Sequence, residues 1–142
     1  MPPTPRRWSD QIDGIRWLPR MIDKARMSRS GTLGAYLIGN SPVDKALLAR
    51  LGITTDEFVR IAAGDPDDAH VLAALKTEPR YDDARVRRWS DRFEQTYRLF
   101  IRLWDLDEGY VAPNPVERAL RAIYRVVENP ISALLRKLSP AP

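Results

Sequence analysis

Hydrophobic residues recur along much of this chain at steps of three and four, which is the period of an α-helix. The clearest run extends from about Asp82 to Leu106. Its large apolar residues are Val86, Trp89, Phe93, Tyr97, Phe100 and Trp104. This spacing puts all six on one face, so the sequence predicts an amphipathic helix of several turns whose aromatic face belongs to the core.

Shorter periodic segments lie on both sides of that run. Pro19 can begin a helix as its first residue, because a proline there gives up no intrahelical hydrogen bond. Further helices are predicted over about 43–51, from residue 55, around 71–75, over 116–127 and over 131–138, with glycine and proline clusters between them. No alternating run is long enough to predict a strand. The sequence therefore predicts an all-α protein, a single compact helical domain of five to seven helices.

The 142 residues fall in the size range of one domain and divide into three predicted parts. Residues 1–13 form a lead-in rich in proline and arginine. Residues 14–110 form the helical domain. We expect residues 111–142 to be a C-terminal helical extension that packs on the domain or on a second subunit.

The composition is that of a globular protein, with 44% hydrophobic and 30% charged residues. The absence of cysteine excludes disulfides and thiolate metal sites, and it fits a reducing compartment. The first residues contain no apolar stretch of the kind a signal peptide needs, and no run approaches the roughly 20 apolar residues that cross a bilayer. We therefore expect a soluble, cytoplasmic protein.

Charge is distributed unevenly along the chain. The net charge is +5 over residues 1–53, −5 over 54–83 and +4 over 84–142. An acidic middle between basic flanks favours attraction within the molecule or between subunits over a uniform nucleic-acid surface. The alternative is a solvated surface with uneven charge, and the sequence leaves both open.

Residues 14–36 read GIRWLPRMIDKARMSRSGTLGAY. This segment, above all its WLPRMIDKAR part, resembles the signature of a bacterial family known as domain of unknown function 5069. The resemblance continues through Asp44, the Leu51–Ile53 turn, Phe58 and Leu75 to about Trp89. It implies a small helical domain and brings no established activity, cofactor or catalytic residue.

The same block contains a candidate site for a small anion. Its residues are Trp17, Arg20, Asp23, Lys24, Arg26, Gly31, Thr32, Gly34 and Tyr36, followed by Asp44. Arg20 and Lys24 lie one helical turn apart and could clamp an anionic group, while backbone N–H groups of the glycine loop approach it. Asp23 or Asp44 could then act as a base if burial raised the pKa of its carboxyl group.

A structural interpretation of the same residues is equally concrete. Asp23 has the helical spacing to pair with Arg20 and Arg26, and the glycines would cap a helix and turn the chain. The loop also lacks the Lys-Ser/Thr ending of a P-loop, and no strand is predicted before it. No residue is therefore assigned a catalytic role, and whether the protein is an enzyme stays open.

Two segments superficially suggest nucleic-acid binding. Residues 47–61 are spaced like a helix-turn-helix, but Asp56 and Glu57 would begin the recognition helix and bring negative charge towards DNA phosphates. The arginines of the 82–106 segment lie opposite its aromatic face, as a solvated helix surface requires. We expect neither nucleic acid nor a membrane surface as a partner.

Metal and cofactor chemistry finds no support in the sequence. His70 is the only histidine, so one chain cannot assemble a pair of histidine ligands or a Ser-His-Asp triad. The acidic residues Asp65, Asp67 and Asp68 are better placed to cap a helix than to hold a cation. We expect no metal and no cofactor.

Two hypotheses for the function remain. The first is a non-catalytic helical binding or interaction protein that self-associates through its aromatic and C-terminal helices. The second is a small enzyme or ligand-binding domain that recognises a phosphate or a carboxylate. A buried, polar-lined pocket beside residues 17–44 would favour the second, and an open face there would favour the first.

Overall fold

The computed structural model of this chain describes residues 3–112, 114–116, 118–119 and 122. Within these ranges there are one short hairpin and seven helices. The helices are α1 (Leu18–Ser30), α2 (Pro42–Leu51), α3 (Thr55–Gly64), α4 (Asp68–Lys76), α5 (Asp83–Asp91), α6 (Phe93–Thr96) and α7 (Arg98–Asp107). The predicted helical fold class, with five to seven helices, is confirmed. Most of the two helices predicted after residue 115 lies outside the described residues.

The hairpin is the one element for which the sequence predicted no counterpart. Its strands, β1 (Gln11–Ile12) and β2 (Ile15–Arg16), are antiparallel, with Ile12 opposite Ile15. Asp13 and Gly14 join them with φ angles of 51° and 77°. Positive φ at both central residues is the geometry of a type I′ hairpin turn, for which Asp-Gly is a preferred pair. Strands of two residues are too short to show alternation, and the Asp-Gly dipeptide is the only local turn signal in this segment.

Side-chain caps define where four of the helices begin. Ser41 caps α2, Asp67 caps α4 and Asp82 caps α5, each accepting a backbone N–H of the first turn. Thr54 and Glu57 form a reciprocal capping box at the start of α3. These caps satisfy N–H groups that have no partner inside the helix, so the helix starts are encoded locally.

The core lies where α1 packs against α3, α2 against α5, and α3 against α4. The largest fully buried side chains are Phe58, Phe93, Ile15, Leu18, Met21, Ile22, Leu47, Leu51, Leu75, Val71, Val86 and Asp44. Eleven of these twelve are apolar, and burying each contributes roughly 1.5–3 kcal/mol. Asp44 is the exception, and it belongs to the site described below.

The single long helix predicted over 82–106 is divided in the structure into α5, α6 and α7, with turns at Arg92 and Tyr97. Phe93 follows the first turn and is fully buried among aromatic rings. Its ring centroid lies 5.9 Å from that of Trp8, 5.8 Å from Trp17, 5.3 Å from Trp89 and 4.7 Å from Tyr97. The three-and-four spacing of apolar residues is the same in one long helix and in consecutive short helices. The contacts of Phe93 with the surrounding rings favour the short helices.

The chain forms two compact units, Met1–Arg98 and Leu99–Pro142. In the described part of the chain, every large apolar side chain that is exposed belongs to the second unit. These residues are Leu99, Phe100, Tyr110 and Val116. The prediction that the aromatic face of 82–106 is core is therefore right for Val86, Trp89 and Phe93 and wrong for Phe100, which is 50% exposed. None of the helices in the described ranges is both long and apolar enough to cross a lipid bilayer.

Gly52 offers a test of how closely the helices approach one another. It ends α2 with φ of 73°, and a Cβ atom at this position would overlap the Cβ of Arg80. We expect Gly52→Ala to lower the free energy of unfolding by about 2–4 kcal/mol, because backbone strain and a steric overlap add together. Urea denaturation would measure the loss.

Gly31→Ala is the matched control. Gly31 ends α1 with φ of 76°, but a Cβ there would meet no atom within 4 Å. This variant should lose only the strain, about 1–2 kcal/mol. Equal losses in the two variants would contradict the close approach at Gly52.

Candidate functional site

Lys24 of α1 and Asp44 of α2 form an ion pair inside the first unit. The Lys24 Nζ lies 2.8 Å from Oδ1 and 2.7 Å from Oδ2 of Asp44. Their side chains are only 4% and 0% exposed. Charges removed from water in this way are stable only when each finds close, well-oriented partners. The pair is therefore the most demanding electrostatic feature of the candidate site.

Trp17 supplies a further donor to this carboxylate. Its indole Nε1–H donates to Asp44 Oδ1 over 2.7 Å, and its ring lies 5.2 Å from the Lys24 ammonium. Trp17 connects β2 directly to α1 and has a φ of 70°, which is rare for a residue with a side chain. Such a conformation costs roughly 1–3 kcal/mol and persists only where surrounding contacts fix it. The hydrogen bond to Asp44 is one of those contacts.

The loop between α1 and α2 supplies a third hydrogen-bond donor to the Asp44 carboxylate. The Gly39 N–H donates to Asp44 Oδ2 over 2.9 Å. Gly39 has φ of 80°, and a Cβ atom at this position would overlap the side chain of Thr55. The Asp44 carboxylate thus accepts hydrogen bonds from Trp17, Lys24 and Gly39, so its charge is compensated from within the chain.

Arg20 lies beside this pair and is 5% exposed. Its guanidinium carbon stands 5.2 Å from the ring centre of Trp17 and 5.6 Å from that of Tyr36, distances typical of cation–π contacts. Its Nη1 donates to the backbone carbonyl of Arg6 over 3.0 Å. The side chain that was expected to clamp an anion is packed between aromatic rings.

Asp23 and Arg26 belong to a second network on the outer side of α1. Asp23 accepts two parallel hydrogen bonds from the Arg6 guanidinium, 2.9 Å from Nε and 2.8 Å from Nη2. Asp68 of α4 accepts from Arg6 over 2.6 Å and from Arg26 over 2.8 Å. The predicted pairing of Asp23 with Arg20 and Arg26 is therefore wrong, because Arg6 reaches Asp23 from the N-terminal segment.

The same network shifts two pKa values. The hydrogen bond to Asp23 raises the pKa of the Arg6 guanidinium above its ordinary range. Partial burial would raise the pKa of the Asp68 carboxyl, but hydrogen bonds from Arg6 and Arg26 outweigh it, and the net pKa is lowered. Both shifts favour the charged forms, so the network persists at neutral pH.

The first residues of the glycine loop do not contact the Lys24–Asp44 ion pair. Gly31, Thr32 and Gly34 are exposed at the surface. The Gly31 and Thr32 N–H groups bond to carbonyl groups of the last turn of α1, Thr32 to Met27 over 2.9 Å. Because these N–H groups complete a helix C-cap, they do not point towards an anion.

The structure thus brings together five of the ten candidate residues. Trp17, Arg20, Lys24, Tyr36 and Asp44 share one cluster, in which all but the half-buried Tyr36 are buried, while Asp23 and Arg26 join the second network. Arg6 and Phe93 were not among the candidates, although both contact the candidate residues. Arg6 precedes Asp68 by 62 residues, so no local spacing could have indicated their contact. Whether any of the ten binds a ligand stays a prediction.

Elsewhere in the described ranges, no group of three or more histidine, aspartate or glutamate side chains is arranged to hold a metal ion. His70 and Asp65 approach each other at the surface, with 3.2 Å between Nδ1 and Oδ2. A single exposed contact of this kind is an ordinary surface interaction.

A comparison with protein-family models matches residues 3–109 to a domain of unknown function, DUF5069. The match covers well over half of the chain, so the chain belongs to this family. Searches of curated proteins and of solved structures found no match.

Removing one partner of the buried ion pair should lower the free energy of unfolding strongly. We expect Lys24→Met to lower the free energy of unfolding by about 3–5 kcal/mol, because Asp44 is left charged inside the protein. Adding Asp44→Asn to this variant should restore part of the loss, since the uncompensated charge is then gone. Urea denaturation of both single variants and the double variant completes the cycle.

Lys76→Met is the matched control. It makes the same change in a lysine–aspartate pair, with Asp13, whose side chains are 37% and 46% exposed. This variant should change the free energy of unfolding little, because water already solvates both charges. If Lys24→Met and Lys76→Met lowered the free energy of unfolding equally, burial of the Lys24–Asp44 pair would not be the cause of the loss.

The Asp68 carboxyl predicts a dependence of stability on pH. Its folded pKa is lowered below the unfolded value of about 3.9, so its contribution is present above that pH and is lost as pH falls through the folded value. Asp68→Asn should destabilise the protein at pH 7, and the difference from wild type should shrink in acid.

Denaturation at pH 7 and at pH 3 would measure this change in both proteins. The control is Asp91→Asn, since Asp91 is exposed and forms no ion pair in the described part of the chain. An Asp68→Asn penalty that is the same at both pH values would contradict the ionic origin of the effect.

Proposed function

We propose that this member of the DUF5069 family is a non-catalytic helical interaction protein that self-associates, with the exposed apolar face of α7 as the contact surface. A second copy of the same chain is the proposed partner. The observation that carries the proposal is the confinement of exposed large apolar side chains to residues 99–116 among those described.

The exposed apolar residues of α7 lie on one side of the helix. Leu99 is 73% exposed, Phe100 is 50% exposed, and Leu103 and Trp104 are partly exposed. Leu103 and Trp104 follow Leu99 and Phe100 after one helical turn, so the four side chains lie on one face of the helix. The rings of Phe100 and Trp104 are stacked, with centroids 6.1 Å apart. Contiguous exposed apolar side chains of this kind commonly mark interaction surfaces.

An apolar helix face is complementary to a copy of itself. A two-fold dimer places the same patch on both subunits, so it needs no second, differently shaped surface. Aromatic residues such as Phe100 and Trp104 dominate the energy of protein interfaces when water is excluded from around them. Self-association therefore requires nothing beyond the surface that α7 already presents.

The state of the buried cluster supports a non-catalytic role. Lys24 is compensated by Asp44, and Arg20 is packed between Trp17 and Tyr36. An anion that entered the cluster would have to compete with these contacts. The alternative hypothesis, a domain that recognises a phosphate or a carboxylate at these residues, gains less support from this arrangement.

The proposal includes a bacterial, cytoplasmic setting. The resemblance to a bacterial family suggests the origin, and the cysteine-free sequence fits a reducing compartment. The bacterial origin and the cytoplasmic location are proposed, as self-association is.

The variant that tests self-association is Leu99→Glu combined with Phe100→Glu. The two charges would have to be buried against the second copy, so the dissociation constant should rise at least about tenfold. Sedimentation equilibrium over a range of protein concentrations measures this constant directly.

The matched control is Ala69→Glu combined with Ala73→Glu. Both alanines are exposed on α4, four residues apart, so this variant gains the same two charges on a different helix. Its dissociation constant should equal that of wild type. A wild-type protein that stays monomeric at all concentrations, or two variants that dissociate equally, would refute the proposed surface.

A further inference from the structure

A half-open groove lies in the first unit between two turns of the chain. One turn joins α2 to α3, and the other joins α4 to α5. The groove has a volume of about 700 Å³, within the usual range for small-molecule sites. Leu48, Ile53 and Pro79 supply apolar surface, and Glu78, Arg80 and Arg85 supply charge.

The two turns are held together by direct contacts. Gly52 has no side chain, which lets the backbone of the first turn pack against Arg80 of the second. The Arg85 Nη2 donates to the carbonyl of Arg50 over 3.2 Å and to that of Arg80 over 3.1 Å, so one guanidinium binds both turns. The groove is therefore already formed before any ligand arrives, which lowers the entropic cost of binding.

The charges in this groove differ from those around it. Other exposed carboxylates of the first unit, such as those of Asp13 and Asp83, are each paired with Arg87. By contrast, Glu78 and Arg80 form no ion pair in the part of the chain that the structure describes. Arg85 uses one nitrogen for its two carbonyl bonds, and its other N–H groups have no protein acceptor there. Opposite charges thus stand beside an apolar surface, and no ion pair joins them within the described residues.

We propose that this groove binds a short aliphatic peptide with free ends. The peptide carboxylate binds the guanidinium groups of Arg80 and Arg85, its amino group binds Glu78, and its side chains cover Leu48 and Ile53. A guanidinium fork matches the geometry of a carboxylate, and a carboxylate is the natural acceptor for an ammonium group.

Other classes of ligand fit the groove less well. A purely apolar molecule would remove the charged groups from water without replacing their hydrogen bonds, which costs binding energy. An inorganic anion would bind the two arginines but would leave Glu78 without a cationic partner. A molecule with both charges on an apolar framework satisfies all of these groups together.

Dileucine is the probe for this proposal, titrated into the full chain and followed by two-dimensional ¹⁵N NMR. We expect saturable shifts that centre on the residues of both turns, complete by about 10 mM. N-acetyl-dileucine and dileucine amide each lack one of the two charges. Each should bind at least about tenfold more weakly than dileucine.

The variants separate the proposed contacts from general charge effects. Arg80→Ala keeps the Cβ that packs against Gly52 and removes the guanidinium, so binding should weaken about tenfold while the NMR spectrum stays folded. Glu78→Gln should abolish the preference for dileucine over its N-acetyl form. Arg88→Ala is the control, because Arg88 is exposed on the same helix as Arg85 and does not line the groove.

Three outcomes would overturn the proposal. They are an absence of saturable shifts, shifts centred away from the two turns, and equal weakening by Arg80→Ala and Arg88→Ala. The titration is independent of self-association, since the groove is formed by residues of the first unit alone.

Discussion

The buried ion pair of Lys24 and Asp44 is the constraint on which the first unit depends. Two charges are taken out of water there, and only the convergence of several donors on one carboxylate offsets the cost. The indole of Trp17, the ammonium of Lys24 and the N–H of Gly39 all reach the same two oxygens. These groups come from the start of α1, its middle and the following loop, so one carboxylate at the start of α2 fixes three parts of the chain.

A second network extends this organisation to the N-terminal segment. Arg6 binds Asp23 on α1 and Asp68 on α4, and Trp8 stacks on Phe93. A segment with no regular secondary structure is thereby attached to two helices. The same contacts pair charges from oppositely charged parts of the sequence. Asp68 of the acidic middle segment forms ion pairs with Arg6 and Arg26 of the basic first segment within one molecule.

This internal pairing explains why neither proposed interaction uses residues of the family's most distinctive sequence block. The charged residues of that block already bind the N-terminal segment or the carboxylates of Asp44 and Asp68 on other helices. The surfaces left over are of two kinds, the apolar face of α7 and the groove in which Glu78 and Arg80 have no ion-pair partner within the described residues. The first suits a like surface, and the second suits a small molecule that carries both charges.

The sequence by itself determined the helical class, several of the helix limits and many of the core residues. Periodicity identified the buried residues of α5 such as Val86 and Trp89, and Pro19 and Gly52 marked helix limits, because these signals act within a few residues of the chain. The candidate cluster was partly predictable, since Trp17, Lys24 and Asp44 were all named. Only the tertiary structure decided that Asp23 pairs with Arg6, that the chain turns at Arg92 before the buried Phe93 and that Phe100 faces solvent. The first two outcomes involve contacts between residues up to 85 positions apart, as for Trp8 and Phe93, and no local pattern records such contacts.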